Sequence, residues 1–298
     1  MNLRGGNKMK YVLIVNPIAG TGFSKTVIPK LEEVLKERND VEYVIRETEY
    51  AGHATQIAKE TAADESVTAV LSVGGDGTSF EVACGLIGTG KPMGVIPAGT
   101  GNDFVKTLKI PKDPVEALNA ILNGEPKPVD VGRLNDRIFL NVCGTGFDVM
   151  VLDYAESEKK KHKGLTPYLI GLIKAIGHYK PTHITLEIDG KKSEKDLLIC
   201  AIANGRFIGG GIPISPDSDP SDHYFDVVMI GDRPRWKLPF YLPGLLKGKD
   251  LDWKITKRVK ASTVTIDCPG MRVDVDGEIL SMDHAEFTML PGAMRMYW

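Results

Sequence analysis

Over the first 126 residues, short unbroken apolar runs alternate with stretches whose apolar positions return every three or four residues. "KYVLIVNP", "VEYVIRET", "VTAVLSVGG" and "PMGVIPA" read as strands, each ending in a turn signal. Between them, Val27, Leu31, Val34 and Leu35 form one helical stripe, a second helix begins at His53 and a third near Ser79. "PVEALNAILNGEPKP" supplies a last helix and a Gly/Pro-rich exit at about residues 124 to 128. Fully apolar strands alternating with amphipathic helices predict a parallel sheet buried on both faces.

Past that exit the rhythm changes. "RIFLNVCG", "THITLEIDGKK", "DLLICAIANG", "YFDVVMIGD", "STVTIDCPG" and "MRVDVDGEIL" read as closely spaced strands, interrupted by helical insertions near 149 to 180 and 234 to 247. Short strands at this spacing predict a mainly antiparallel all-β region. The expected organisation is an α/β domain over residues 1–128 and a β domain over 129–286.

Composition narrows the functional classes. Lys plus Arg number 37 against 39 Asp plus Glu, a net charge of -2, which argues against a dedicated nucleic-acid binder and leaves only a local patch to attract a polyanion. Cys84, Cys143, Cys200 and Cys268 lie far apart in apolar runs with no C-x-x-C pair, and read as reduced core thiols in a cytoplasmic protein. No stretch is long and apolar enough for a transmembrane helix, and the opening "MNLRGGNKMK" does not lead into a secretory signal. Met9 reads equally well as a start, with residues 1–8 an extension.

Candidate chemistry gathers where glycines follow strands. "GLIGTGK", Gly85 to Lys91, matches seven positions of the P-loop pattern. Its eighth position is Pro92, which lacks the metal-binding hydroxyl, and a helix precedes the segment where a strand should, so it reads as a helix-to-strand turn. "VGGDGT" is different. It sets Asp76 among Gly74, Gly75 and Gly77, with Thr78 at the cap of the next helix, in the strand, bare loop and helix N-terminus order of an anion cradle. "IPAGTGNDF" repeats the device one strand later, and "VNPIAGTGFS" shows it one strand unit earlier. Loops at the carboxyl ends of parallel strands meet in one crevice.

These residues resemble the diacylglycerol kinase catalytic domain, in particular the soluble bacterial lipid kinases related to sphingosine and ceramide kinases. "NPIAG", "GGDGT" and "PAGTGNDF" carry the resemblance in the first region, and "VDVGRLNDRIFLNVCGTGFDVMV", "ANGRFIGGGIPISPDSDPSDHYFDVVMI" and "VDVDGEIL" in the second. It implies an NAD-kinase-like α/β domain, a C-terminal β-sandwich, and a last segment, about 287–298, that returns to the first domain. It also implies ATP as phosphate donor, Mg²⁺, and a lipid alcohol as acceptor, taken from the inner face of the membrane by a peripheral, cytoplasmic enzyme. Asn16, Thr48, Gly74, Gly75, Asp76, Gly77, Thr78 and Thr100 would contact the nucleotide, with Asn102 and Asp103 beside them.

Phosphoryl transfer to a hydroxyl also calls for a base. In "VDVDGEIL", Asp274, Asp276 and Glu278 alternate as on one strand face, which by pattern is either an acidic solvent face or a catalytic edge. The D-G-E resemblance makes Glu278 the candidate base, with Asp76 as its catalytic partner. "PDSDPSDHYFD" is no EF-hand, but by resemblance Asp219, Asp222 and Tyr224 correspond to a Mg²⁺ loop, altered here by Ser221 and His223. "ESEKKKHKG", 156 to 164, reads as a solvated helix end or a contact for anionic lipid, and "WKLPFYLPGLL", 236 to 246, as core or an acyl-chain guide. A homodimer would be ordinary. An NAD kinase and a non-catalytic nucleotide- or lipid-binding regulator remain as alternatives.

Overall fold

The computed structural model describes residues 8–159, 166–232, 234–245, 247–248 and 256–298. The chain divides into two compact units, one running to Asp130 and taking in Gly292–Trp298, the other Val131–Pro291.

In the first unit β1 (Met9–Val15), β2 (Val41–Glu47), β3 (Val67–Gly74) and β4 (Met93–Pro97) are parallel, in the order β4-β3-β1-β2. Met296 pairs with Met93 on the far side of β4. The connections are α1 (Ala19–Lys36), α2 (His53–Ala62), α3 (Asp76–Leu86), α4 (Asp103–Thr107) and α5 (Pro114–Asn123). Leu13, Val15, Leu71, Val73 and Ile96 of the sheet pack against Leu31 and Leu35 of α1 and Leu118, Ile121 and Leu122 of α5. Polar groups in this core satisfy one another: the hydroxyls of Ser72 and Ser79 lie 3.1 Å apart. Parallel strands need this cover on both sides, which explains their unbroken apolar runs. The segment Gly85–Lys91 ends α3 and turns into β4, with positive φ at Gly88 and Gly90, so it is a turn and not a P-loop.

One expected boundary moves. The third helix begins at Asp76, not near Ser79, so its N-cap is Gly75 and Thr78 is a buried residue of the first turn instead of the cap. Asp76 is itself a favourable first-turn residue, because its carboxylate faces the positive end of the helix dipole.

The second unit begins within β5 (Pro126–Leu134) and contains β6 (Arg137–Phe139), β7 (Val142–Gly146), α6 (Phe147–Lys159), α7 (Thr166–His178), β8 (Thr182–Ile188) and β9 (Lys191–Ala203). β10 (Phe225–Gly231), α8 (Leu238–Leu245), β11 (Thr256–Ala261), β12 (Thr263–Val275) and β13 (Glu278–Tyr297) complete it. Its strands pair antiparallel in the order β11-β10-β9-β7-β12-β13, and β8 joins both β9 and β12. Successive residues of β9 serve opposite sides. Leu197, Cys200 and Ile202 enter a core around Phe139, Phe225 and Phe287, while Leu198, Ala201 and Ala203 meet α6, α7 and α8 through Phe147, Ala175, Tyr179 and Leu238. This double burial is why "LLICAIA" shows no polar alternation.

Three further expectations are corrected. "STVTIDCPG" and "MRVDVDGEIL" are not two successive strands: β12 runs through both, with its register interrupted between Asp267 and Met271. Nor is "VDVDGEIL" one strand. Asp276 (φ +49°) and Gly277 (φ +96°) form a two-residue hairpin turn, with Val275 opposite Glu278. Asp-Gly between alternating hydrophobics is the chemistry such a turn requires, since both central residues need positive φ. Finally, Cys143 and Cys200 are buried but Cys84 and Cys268 are only partly so, and none of the four forms a disulfide. Residues 160–164 of the lysine-rich run lie outside the described residues, as does position 246 of the apolar stretch.

Candidate active site

Three loops of the first unit meet at the carboxyl ends of β1, β3 and β4. A Cβ on Gly99 would lie 2.9 Å from the backbone nitrogen of Gly75 and 2.9 Å from Asn102 Oδ1, and one on Gly75 would lie 3.1 Å from Gly99 Cα. The two loops therefore touch backbone to backbone, which only glycine permits at both positions. Ala98 N–H donates to Gly74 carbonyl oxygen at 2.7 Å, and a Cβ on Gly74 would sit 2.7 Å from Thr78 Cβ. From the β1 side, Gly20, Thr21 and Gly22 all have positive φ (58°, 58° and 89°), and Gly20 packs against the carbonyl of Ala98. Asn16 anchors that loop: its N–H donates to Val73 oxygen at 3.1 Å, its Oδ1 accepts from Ile18 N–H at 3.2 Å, and its carbonyl accepts from Ser24 Oγ at 2.6 Å. Thr48 joins from the end of β2, donating to Val15 oxygen at 2.8 Å.

Asp76 ties the constellation together. Its Oδ1 accepts from Phe104 N–H at 3.2 Å, locking the N-terminus of α3 to that of α4. Burial pushes its pKa upward, while N–H groups of Asp103, Phe104 and Asn102 oppose the shift and the charge of Asp103 adds to it. Asp103 is itself buried and paired with Lys106 at 2.9 Å. Thr100 and Gly77 are exposed, and nothing lies within 4 Å of where a Gly77 side chain would project. Asn102, at φ +52°, donates through Nδ2 to Gly99 oxygen at 2.9 Å and leaves an enclosed Oδ1 without a hydrogen-bond partner. An unfilled acceptor beside bare glycines and a helix N-terminus fits a ligand carrying both hydroxyls and phosphates, as a nucleotide does.

One contributor escaped the sequence reading. Glu81 of α3 accepts from Gly52 N–H at 2.9 Å and Ala54 N–H at 3.2 Å, and its carbonyl accepts from Thr55 Oγ1 at 2.8 Å. It thus holds the start of α2, and with it the turn after Thr48, against α3. Its place on the helix five residues after Asp76 was visible, but nothing local marked the partner as a backbone elsewhere.

In the second unit the Asp276–Gly277 turn carries the other acidic candidates. Asp276 accepts three successive N–H groups, from Leu140 at 2.6 Å, Asn141 at 2.9 Å and Val142 at 3.1 Å. Glu278 is exposed and forked to Arg137, with Nη2–Oε2 at 2.6 Å and Nη1–Oε1 at 3.4 Å. The expected common face does not exist. Asp274 is 7% exposed, Asp276 is a turn residue and Glu278 starts the next strand, so the turn itself separates the groups that alternation had put together.

The Mg²⁺ loop has a different character from the one expected. Asp219 Oδ1 is taken by Ser221, through N–H at 3.1 Å and Oγ at 2.6 Å. Asp222 Oδ1 accepts from Tyr224 N–H at 3.0 Å, and its Oδ2 is ion-paired with the Lys260 ammonium, which also reaches Asp226 at 3.5 Å. Among the described residues no cluster of three His, Cys, Asp or Glu has metal-holding geometry. Mg²⁺ demands hard oxygen ligands in near-octahedral array, and here the Lys260 ammonium already sits on the Asp222 oxygen that such a site would use.

Comparison with known proteins agrees with this geography. Residues 10–134 match the diacylglycerol kinase catalytic domain, and residues 141–298 match the YegS C-terminal NAD kinase beta sandwich-like domain. A diacylglycerol kinase of Mycobacterium tuberculosis is 32% identical over 96% of this chain and 94% of its own. A YegS-like lipid kinase of Pseudomonas putida is 32% identical, covering 85% and 84%. The crystal structure of a diacylglycerol kinase from Bacillus anthracis superposes with a TM-score of 0.79 at 30% identity, covering 97% of this chain and 96% of that one.

Proposed function

The chain belongs to the diacylglycerol kinase catalytic-domain family and is a lipid kinase, and from that premise we propose that it phosphorylates diacylglycerol, giving phosphatidic acid. ATP is the donor. Its phosphates lie on the N-terminus of α3 against the backbone of Gly75, Gly77 and the loop through Gly99 and Thr100. The lipid hydroxyl oxygen forms the new bond to the γ-phosphorus, the β,γ-bridge bond breaks to release ADP, and the hydroxyl proton passes to a carboxylate base, the role for which resemblance makes Glu278 the candidate. Such a transfer needs mostly in-line positioning and charge stabilisation, which fixed N–H groups and a helix dipole provide without reorganisation. Mg²⁺ bound with the ATP phosphates would neutralise part of their charge.

The observation that carries this reading is the backbone contact of Gly75 with Gly99 beside Asp76, which makes one bare surface from two strand-end loops. Peripheral contact with the inner membrane face follows from the acceptor's chemistry. No helix among the described residues is long and apolar enough to cross a membrane. The test is a panel of dispersed acceptors with ATP: diacylglycerol, monoacylglycerol, sphingosine, ceramide, phosphatidylglycerol and, as a soluble control, NAD. Diacylglycerol should give the highest kcat/KM. A preference for another lipid would refute the substrate assignment, and NADP formation would refute the acceptor class.

A further inference from the structure

Two carboxyl groups that this chemistry leaves unused lie together behind the Asp276–Gly277 turn. Asp274 of β12 is opposite Gly144 of β7, and Asp148 of α6 lays its carboxyl over the same glycine, with Cγ 3.2 Å from where a Gly144 Cβ would be. Gly144 is thus the gap in which the Asp148 carboxyl is seated, with Asp274 as its cross-strand neighbour. Asp148 Oδ1 is enclosed with no hydrogen-bond partner. Asp274 Oδ1 accepts from Gly277 N–H at 2.8 Å, the residue that immediately precedes Glu278. We propose that Asp274 and Asp148 act as a positioning pair, holding the turn that presents Glu278 in register only while at least one of the two keeps its proton. This deepens the assignment of Glu278 as the base and rests on it for its link to turnover.

The surroundings favour a proton on one member of the pair. Burial, with Asp148 adding its charge and Asp276 a smaller one, moves Asp274 up to about 8, against the opposing Gly277 N–H. Burial moves Asp148 to about 6. Cys143 of β7 and Cys200 of β9 lie on the opposite face of the sheet, in the core around Phe139, and burial lifts both thiols well above their usual range, so neither offers an early negative charge. On the charged side, Asp153 of α6 is already paired with Arg272 of β12, and Arg137 of β6 with Glu278, which leaves the pair without a cation of its own among these neighbours. Below about pH 8 Asp274 is neutral and the turn is tied down. Above it, both carboxylates are charged beside the Asp276 carboxylate, and repulsion pushes the turn away. The sign is that of an acid with a raised folded pKa: the favourable state is present at low pH and lost as pH rises through about 8.

The experiment follows lipid-dependent turnover from pH 6 to 10, alongside amide exchange of the peptide spanning residues 276–280, corrected for intrinsic rates. Wild type should lose turnover and protection of the turn together, near pH 8. Asp274→Asn keeps an oxygen for Gly277 N–H and cannot ionise, so its alkaline limb should move up by about one pH unit or more, with protection retained. Asp148→Asn should do the same by removing the repelling charge. Limbs and protection that coincide in all three proteins would overturn the proposal. Exchange reports the turn whatever Glu278 does, so an active Glu278→Gln enzyme would remove the base assignment while the exchange result still judged the positioning pair.

Discussion

Gly77→Ala separates ligand approach from structural need, two roles that glycine loops usually confound. The Gly77 backbone is helical, its φ is not positive, and a methyl there would meet nothing within 4 Å. In the folded protein alone the substitution therefore costs nothing, and replacing an exposed helical glycine by alanine contributes up to about 1 kcal/mol of stability. In a unit of this size that is a rise of roughly 2–4 °C in Tm. With ATP the result reverses. A methyl on the first turn of α3 stands where phosphate oxygens must come to meet N–H groups, and losing one charge-assisted hydrogen bond is worth about 1.5–3 kcal/mol, or roughly 10- to 150-fold in KM for ATP. Gly99→Ala is the counterpart, because its Cβ would lie 2.9 Å from Gly75 N in a backbone contact that cannot yield. It should lower both Tm and activity. Thermal melts without ligand, paired with initial rates over an ATP series, decide the matter. A Gly77→Ala enzyme as stable as wild type with an unchanged KM for ATP would show that phosphates do not approach the α3 N-terminus.

Glu278→Gln preserves size and an acceptor oxygen but takes no proton, so turnover should fall by about two to four orders of magnitude with ATP affinity retained in equilibrium binding. A mild loss would return Glu278 to the role of an exposed partner for Arg137. Lys260→Gln uncovers Asp222 and Asp226, so Mg²⁺ without nucleotide should raise the Tm of the variant and leave wild type unmoved. An equal Mg²⁺ shift in wild type would make the 219–224 loop a metal site after all.

How much of this was legible depended on whether the deciding contacts were local. The alternation of strands and helices to residue 126, and the three glycine loops, follow from periodicity and turn chemistry, and the parallel sheet repeats them. Asp276–Gly277 carried a hairpin signal, yet strict alternation from Val273 to Ile279 masked it, because the hairpin keeps the same apolar-polar beat on both of its arms. Asp274 looked like surface. Its burial comes from Gly144 and Asp148, more than a hundred residues earlier, and no window along the chain contains both. Lys260 likewise reaches Asp226 only through the β10–β11 register, so the loop's built-in cation could not be read from "PDSDPSDHYFD".

On this reading the Asp76 loops deliver the γ-phosphoryl group of ATP to a lipid hydroxyl. Its most direct test incubates the protein with γ-labelled ATP and diacylglycerol in mixed vesicles, extracts the lipid phase and counts it, for wild type and for Asp76→Ala side by side. Label should appear in phosphatidic acid with wild type and fall to background with Asp76→Ala, whose melting curve should keep a single cooperative transition. Absence of lipid-borne label from wild type, or undiminished labelling by a folded Asp76→Ala protein, would contradict the account.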